Sequence, residues 1–154
     1  MRKTFTRFSI MAFALLMSAA FMPAHAAGTP AQAKALAEKA ATLVSSEGAK
    51  AFATINSANG GFVNGDLYVG VVDQKGVIQA NGAFPKLVGV NMWNERDPDG
   101  VLVIQKMLKT ADSNGSGWIM IKFTNPATKK IAPKKTWVQK AGNYVVFCGA
   151  YVNS

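Results

Sequence analysis

Beyond residue 26 this sequence contains no histidine, and its one His, His25, falls in the N-terminal leader described below. That removes Ser-His-Asp and Cys-His catalysis, and it removes metal or haem ligation through imidazole. Cysteine is almost as scarce. Cys148 stands alone, so no intrachain disulfide can form. Its setting, "YVVFCGAY", is apolar and predicts a buried, inert thiol in a strand. Negative charge is sparse, with 8 Asp and Glu in the whole chain. "DPDG" at Asp97–Gly100 holds two of them but lacks the further acids and the bidentate Glu of a calcium loop. No pair of acids is free to serve as acid and base, so neither an enzyme nor a cofactor is expected.

Long hydrophobic runs are missing too, with one exception. "FSIMAFALLMSAAFM" (Phe8–Met22) follows the basic residues Arg2, Lys3 and Arg7 and precedes Pro23 and "AHA". This order of basic, apolar and small residues is that of a secretory signal. The run is short for a membrane span and no basic stop-transfer cluster follows it. We expect residues 1–26 to be a signal peptide cleaved after Ala26, with export to the periplasm or beyond. Residues 27–154 then form one domain with a single core. Without Arg2, Lys3 and Arg7, 14 of the 17 Lys and Arg face 8 acids, a net charge of +6. Such a domain attracts small anions, although charge for solubility alone has the same composition. Nucleic acid is not an expected partner outside the cytoplasm.

The periodicity predicts an α+β fold. Thr29 caps a helix, Pro30 suits its first position and Gln32 completes a capping box. Leu36, Ala40, Leu43, Val44, Phe52 and Ile55 continue a helical pattern from Ala31 to about Ser57, with Gly48 as a point of bending. "DLYVGVVD" (Asp66–Asp73) and "VIQAN" (Val77–Asn81) flank the turn "QKG" and form a hairpin. "GAFPKLVGVNMWNER" (Gly82–Arg96) has no period and reads as an ordered loop of the functional kind. Asp97 and Pro98 are expected to start a second helix, with Val101, Ile104, Leu108 and Ala111 on its buried face. Three strands follow, "GWIMIKFTN", "KKTWVQKA" and "NYVVFCGAYV". A loop over Pro126–Pro133 and a tight turn at Gly142-Asn143 join them. The expected architecture is a long N-terminal helix packed on an antiparallel sheet of roughly five strands, with the irregular segment roofing a pocket on the opposite face.

Three blocks in this order carry a resemblance: "DLYVGVVDQKGVIQANGAFPKLVGVNMWNERDPDG", "GWIMIKFTNPATKKIAPKKTWV" and "GNYVVFCGAYV". They resemble the single Cache domains of bacteria, in the form of small exported proteins made of one such domain. The resemblance spans about Ala31 to Val152. It implies a PAS-like sheet and extracytoplasmic sensing of small organic molecules, often short carboxylates. Related domains sit on chemoreceptors and sensor kinases, so a membrane-bound receptor or kinase is the implied partner. The chain departs from the family pattern at Ile121 and Trp137, where Tyr is typical, at Phe123, where Trp is typical, and near Asn81, where His is frequent. The lysine after the proline is kept, as Lys134 after Pro133.

Lys134 is the leading candidate for a binding residue. It starts a strand beside a rigid proline and near an aromatic, where an ammonium can oppose a carboxylate. The alternative is a solvated lysine like Lys129, Lys130 and Lys135. Trp137, Phe123 and Ile121 are candidate walls, or simple core; Ile121 and Phe123 share a strand face. Trp93 and Arg96 lie in the irregular segment. Arg96 either forks onto a carboxylate or pairs with Glu95, Asp97 or Asp99. Tyr68 either turns its hydroxyl to a pocket or is a half-buried aromatic with a wet tip. Two functions follow: a binding or sensor domain for a small organic anion, and an interaction module of the same fold with a closed core.

Overall fold

The computed structural model describes residues 27–152. The leader and its cleavage point lie outside the described residues. α1 (Pro30–Glu47) starts as its residues dictate. Thr29 Oγ1 accepts from the Gln32 amide, and the Gln32 side chain accepts from the Thr29 amide. Gly48 ends α1 with φ +59°, a conformation costly for residues with a Cβ. A 3-10 turn (Gly48–Lys50) leads into α2 (Ala51–Asn56). The bend expected at Gly48 is therefore a break into two helices.

Six antiparallel strands make the sheet: β1 (Val63–Asn64), β2 (Leu67–Asp73), β3 (Ile78–Asn81), β4 (Ser116–Thr124), β5 (Ile131–Ala141) and β6 (Tyr144–Tyr151). Their order is β1-β2-β6-β5-β4, with β3 also paired to β2. β1 is two residues long and escapes any period-two reading. β5 begins at Ile131, so Pro133 lies inside the strand rather than in the loop before it.

α3 (Val103–Asn114) corrects the reading of "DPDG". Asp97 does not cap it. The Asp97 carboxylate instead accepts from the amides of Asp99 and Val101, and from the Lys122 amide at the free edge of β4, each at 3.0 Å. Asp97 thus closes a turn and pins the end of the irregular segment to the sheet. Burial pushes its carboxyl up, but the three amides outweigh that and hold it below the usual carboxylate range.

Strand alternation splits the interior into two cores. Leu67, Val69 and Val71, with Val146, Cys148 and Ala150, face α1, whose Ala33, Ala37, Ala40 and Ala41 are buried against them. Alanines let the helix lie close to the sheet. Val72, Ile119, Ile121, Val138, Val145 and Phe147 face the other way, toward Ile104, Met107 and Leu108 of α3. Among the described residues no helix is long and apolar enough to cross a membrane.

Candidate functional site

A cavity opens within this second core, between the sheet and a roof made by α3 and the irregular segment. Residues 82–102 hold the roof in place mostly by main chain. Gly89 N donates to Ile78 O at 2.8 Å, Ile78 N to Val90 O at 3.0 Å and Met92 N to Gly76 O at 2.8 Å. Leu87 and Met92 hang from this segment into the cavity, and Val103, Ile104 and Met107 enter from α3. About 400 Å³ is free of atoms, mouth included, but only about 30 Å³ admits the centre of a water-sized group. That accommodates one or two waters or a ligand of a few heavy atoms.

Lys134, Thr136, Tyr68, Asn81, Ile121 and Phe123 contribute to the floor and walls. Lys134 is 2% exposed. Its stem crosses Gly149, where a Cβ would stand 2.9 Å from Lys134 Cγ and Cε and 2.4 Å from Thr136 Oγ1. Only glycine at 149 leaves that path open. The amine ends 3.7 Å from the Tyr68 ring centre and 4.9 Å from that of Tyr151. Among the described residues no carboxylate forms an ion pair with it. Burial pushes the Lys134 amine down to about 7, against smaller opposing effects of Cys148 and Asp66. Beside it, Thr136 Oγ1 is fully buried and without a hydrogen-bond partner. Such an atom in a native interior calls for water or ligand.

The aromatic wall is a chain of edge-to-face rings. Phe84 packs on Tyr68 at 5.4 Å and on Phe123 at 5.7 Å. Burial raises the phenol of Tyr68 well above its usual value, with Tyr151 adding to this; burial likewise pushes Tyr151 up to about 12. Both are neutral donors at physiological pH. The Tyr151 hydroxyl donates to Thr124 O at 2.6 Å. Asn81 is occupied by its own turn, accepting from the amides of Ala83 and Phe84.

Four of the expected residues thus meet at one cavity: Lys134, Tyr68, Ile121 and Phe123. Three do not. Trp137 is an odd position of β5 and faces the α1 side, edge-to-face with Trp118 at 5.1 Å and under the Lys34 ammonium at 4.5 Å. Trp93 is 39% exposed on the outer side of the roof; its carbonyl accepts from the Gln105 side chain. Arg96 is exposed and donates to Gly100 O, 2.6 Å, bracing the turn rather than facing the cavity. Thr136 and Gly149 also belong to the site. Thr136 is two residues from Lys134 and so on the same face, and a glycine inside an apolar strand signals a close approach. Cys148 is buried, its thiol pushed up to about 11 by burial.

The family model described as Single Cache domain 2 matches residues 27–154. Among solved structures, a methyl-accepting chemotaxis protein from Vibrio parahaemolyticus RIMD 2210633 aligns with TM-score 0.69 and 20% identity, over 80% of this chain and 88% of that one. A periplasmic sensor domain of a chemotaxis protein gives 0.68 and 24%, over 80% and 95%. A third, described as the structural basis for carboxylic acid recognition by a Cache chemosensory domain, gives 0.65 and 20%, over 77% and 90%. At these identities the likeness speaks for the fold. No curated protein matches the chain.

Proposed function

This chain belongs to the Single Cache domain 2 family, and from that premise we propose that it is an exported binding or sensor domain for a small organic anion of the short-carboxylate class. One observation carries the ligand class: a buried amine without a carboxylate partner and a buried hydroxyl without any partner open onto the same void. A carboxylate satisfies both at once. One oxygen takes the Lys134 ammonium, the other the Thr136 hydroxyl, and the apolar roof covers the short tail. A charge-assisted contact of this kind contributes about 1.5–3 kcal/mol. The carboxylic acid recognised by one structural neighbour agrees with this class.

Cache domains are extracytoplasmic sensory modules, and the apolar leader with its "AHA" boundary supports export with cleavage after Ala26. Ligand occupancy passes to a membrane-bound receptor or sensor kinase, in keeping with the chemotaxis context of the structural neighbours. Intact mass of the exported protein tests the processing, and a chain that keeps Met1 refutes it.

A thermal-shift screen of short carboxylates tests the ligand class. Binding to the native state alone raises Tm, by the equivalent of about 2.7 kcal/mol at a hundredfold excess over Kd. Lys134→Met and Thr136→Val should each lose most of the shift. The narrowness of the void supports a second reading, an interaction module with a closed core. That reading takes over if no small anion shifts Tm.

A further inference from the structure

The acids and bases around Lys134 set what else the site must do when it fills. From β2 the group facing the amine is Tyr68, and from β6 it is Tyr151, both neutral phenols. Asp66, just before β2, and Cys148, on the far face of β6, act on its charge from further off. Asp66 is already engaged, accepting from the Gly28 amide at 2.8 Å. From β3 comes the amide Asn81, from β4 the apolar Ile121 and Phe123, and from the roof only apolar side chains. The empty site therefore offers an ammonium two aromatic faces and no counter-ion. An aromatic face gives part of what water gives, but not all of it.

Building on the carboxylate reading, we propose that the site takes up a monoanion together with one proton, so that its occupancy reports the acidity of the medium as well as the ligand concentration. In the empty cavity the amine sheds its proton to the solvent at neutral to alkaline pH. An entering carboxylate supplies the missing counter-charge, and a proton from the buffer returns to Lys134 Nζ. The bound state is an ammonium–carboxylate pair with no net change in the charge of the cavity. The lining holds one cationic side chain and no carboxylate. An amino acid would bury its ammonium without a counter-charge, and a dicarboxylate its second charge without a cation. The site thus selects monoanions lacking an amino group.

With the empty-site amine pushed down to about 7, affinity should fall about tenfold for each pH unit above that value. Propionate is a suitable probe, with alanine and succinate as its zwitterionic and dianionic counterparts. Calorimetric titration from pH 6 to pH 9 should show Kd weaker by ~100-fold at pH 9, with proton uptake per ligand rising toward one. The uptake is read by comparing buffers of different ionisation enthalpy. Alanine and succinate should bind at least tenfold more weakly than propionate at every pH. A ligand-free arm follows lysine Cε resonances in protein labelled with carbon-13. One resonance, absent from Lys134→Met, should titrate near neutral pH. Propionate binding that is flat from pH 6 to 9, with every lysine titrating above pH 9, overturns the proton coupling and leaves the carboxylate reading standing. Failure of propionate and every other short monocarboxylate to bind at any pH removes that reading and this inference with it, even if the lysine titrates near neutrality.

Discussion

Replacing Lys134 by Met should make the empty protein more stable, most of all in acid. The unfolded lysine holds its proton to about 10.5, and the folded one releases it at about 7. Between those values the unfolded chain binds more protons, so stability rises with pH; below 7 both states are protonated and the cost of burial stays constant. Three and a half units at about 1.4 kcal/mol each set a ceiling of roughly 5 kcal/mol on that cost. Whatever the Tyr68 ring, 3.7 Å away, returns to the ammonium is already contained in that value. Methionine keeps the stem that lies over Gly149 and drops the charge. We expect Lys134→Met to gain about 3–5 kcal/mol at pH 6, and the gain to shrink by about 1.4 kcal/mol per pH unit from 7 to 9. Urea melts of both proteins across this range measure it, and the difference between them cancels other titrating groups. A variant less stable than the parent at pH 6, or a gap that does not change with pH, refutes the reasoning.

Trp137→Ala should cost about 2–3 kcal/mol from lost apolar contact on the α1 face yet leave ligand affinity within about twofold, since the ring does not reach the cavity; urea melts and calorimetry separate the two. Gly149→Ala should harm both stability and binding. Its methyl would stand 2.4 Å from Thr136 Oγ1, so Lys134 must move, destabilising by about 1–3 kcal/mol and abolishing the thermal shift with propionate. Asp97→Ala should lower Tm at neutral pH by releasing three amides, two in its own turn and that of Lys122 on β4, which ties the roof to the sheet. The carboxyl of Asp97 is held below its usual value, so this contribution is present above about pH 4 and fades as pH falls further; parent and variant should converge in acid.

Most of the fold was written in short-range pattern. Thr29, Pro30 and Gln32 specify the start of α1 among themselves, and strand alternation specifies which side chains share a face. By that rule Lys134 and Thr136 belong together and Trp137 belongs opposite them, which was legible before any coordinates. Asp97 shows where local pattern misleads. Asp-Pro at the head of an apolar period reads as a cap, but one of its three donors is the Lys122 amide, 25 residues along the chain. The cavity itself is of this second kind. Its surfaces come from five strands, a helix and an irregular segment, and whether they meet or leave a gap depends on side-chain volumes summed across the fold. The charge of Lys134 is decided in the same way, because desolvation depends on every atom that replaces water around the amine. A sequence names the lysine, while the folded surroundings determine what holding a proton there costs.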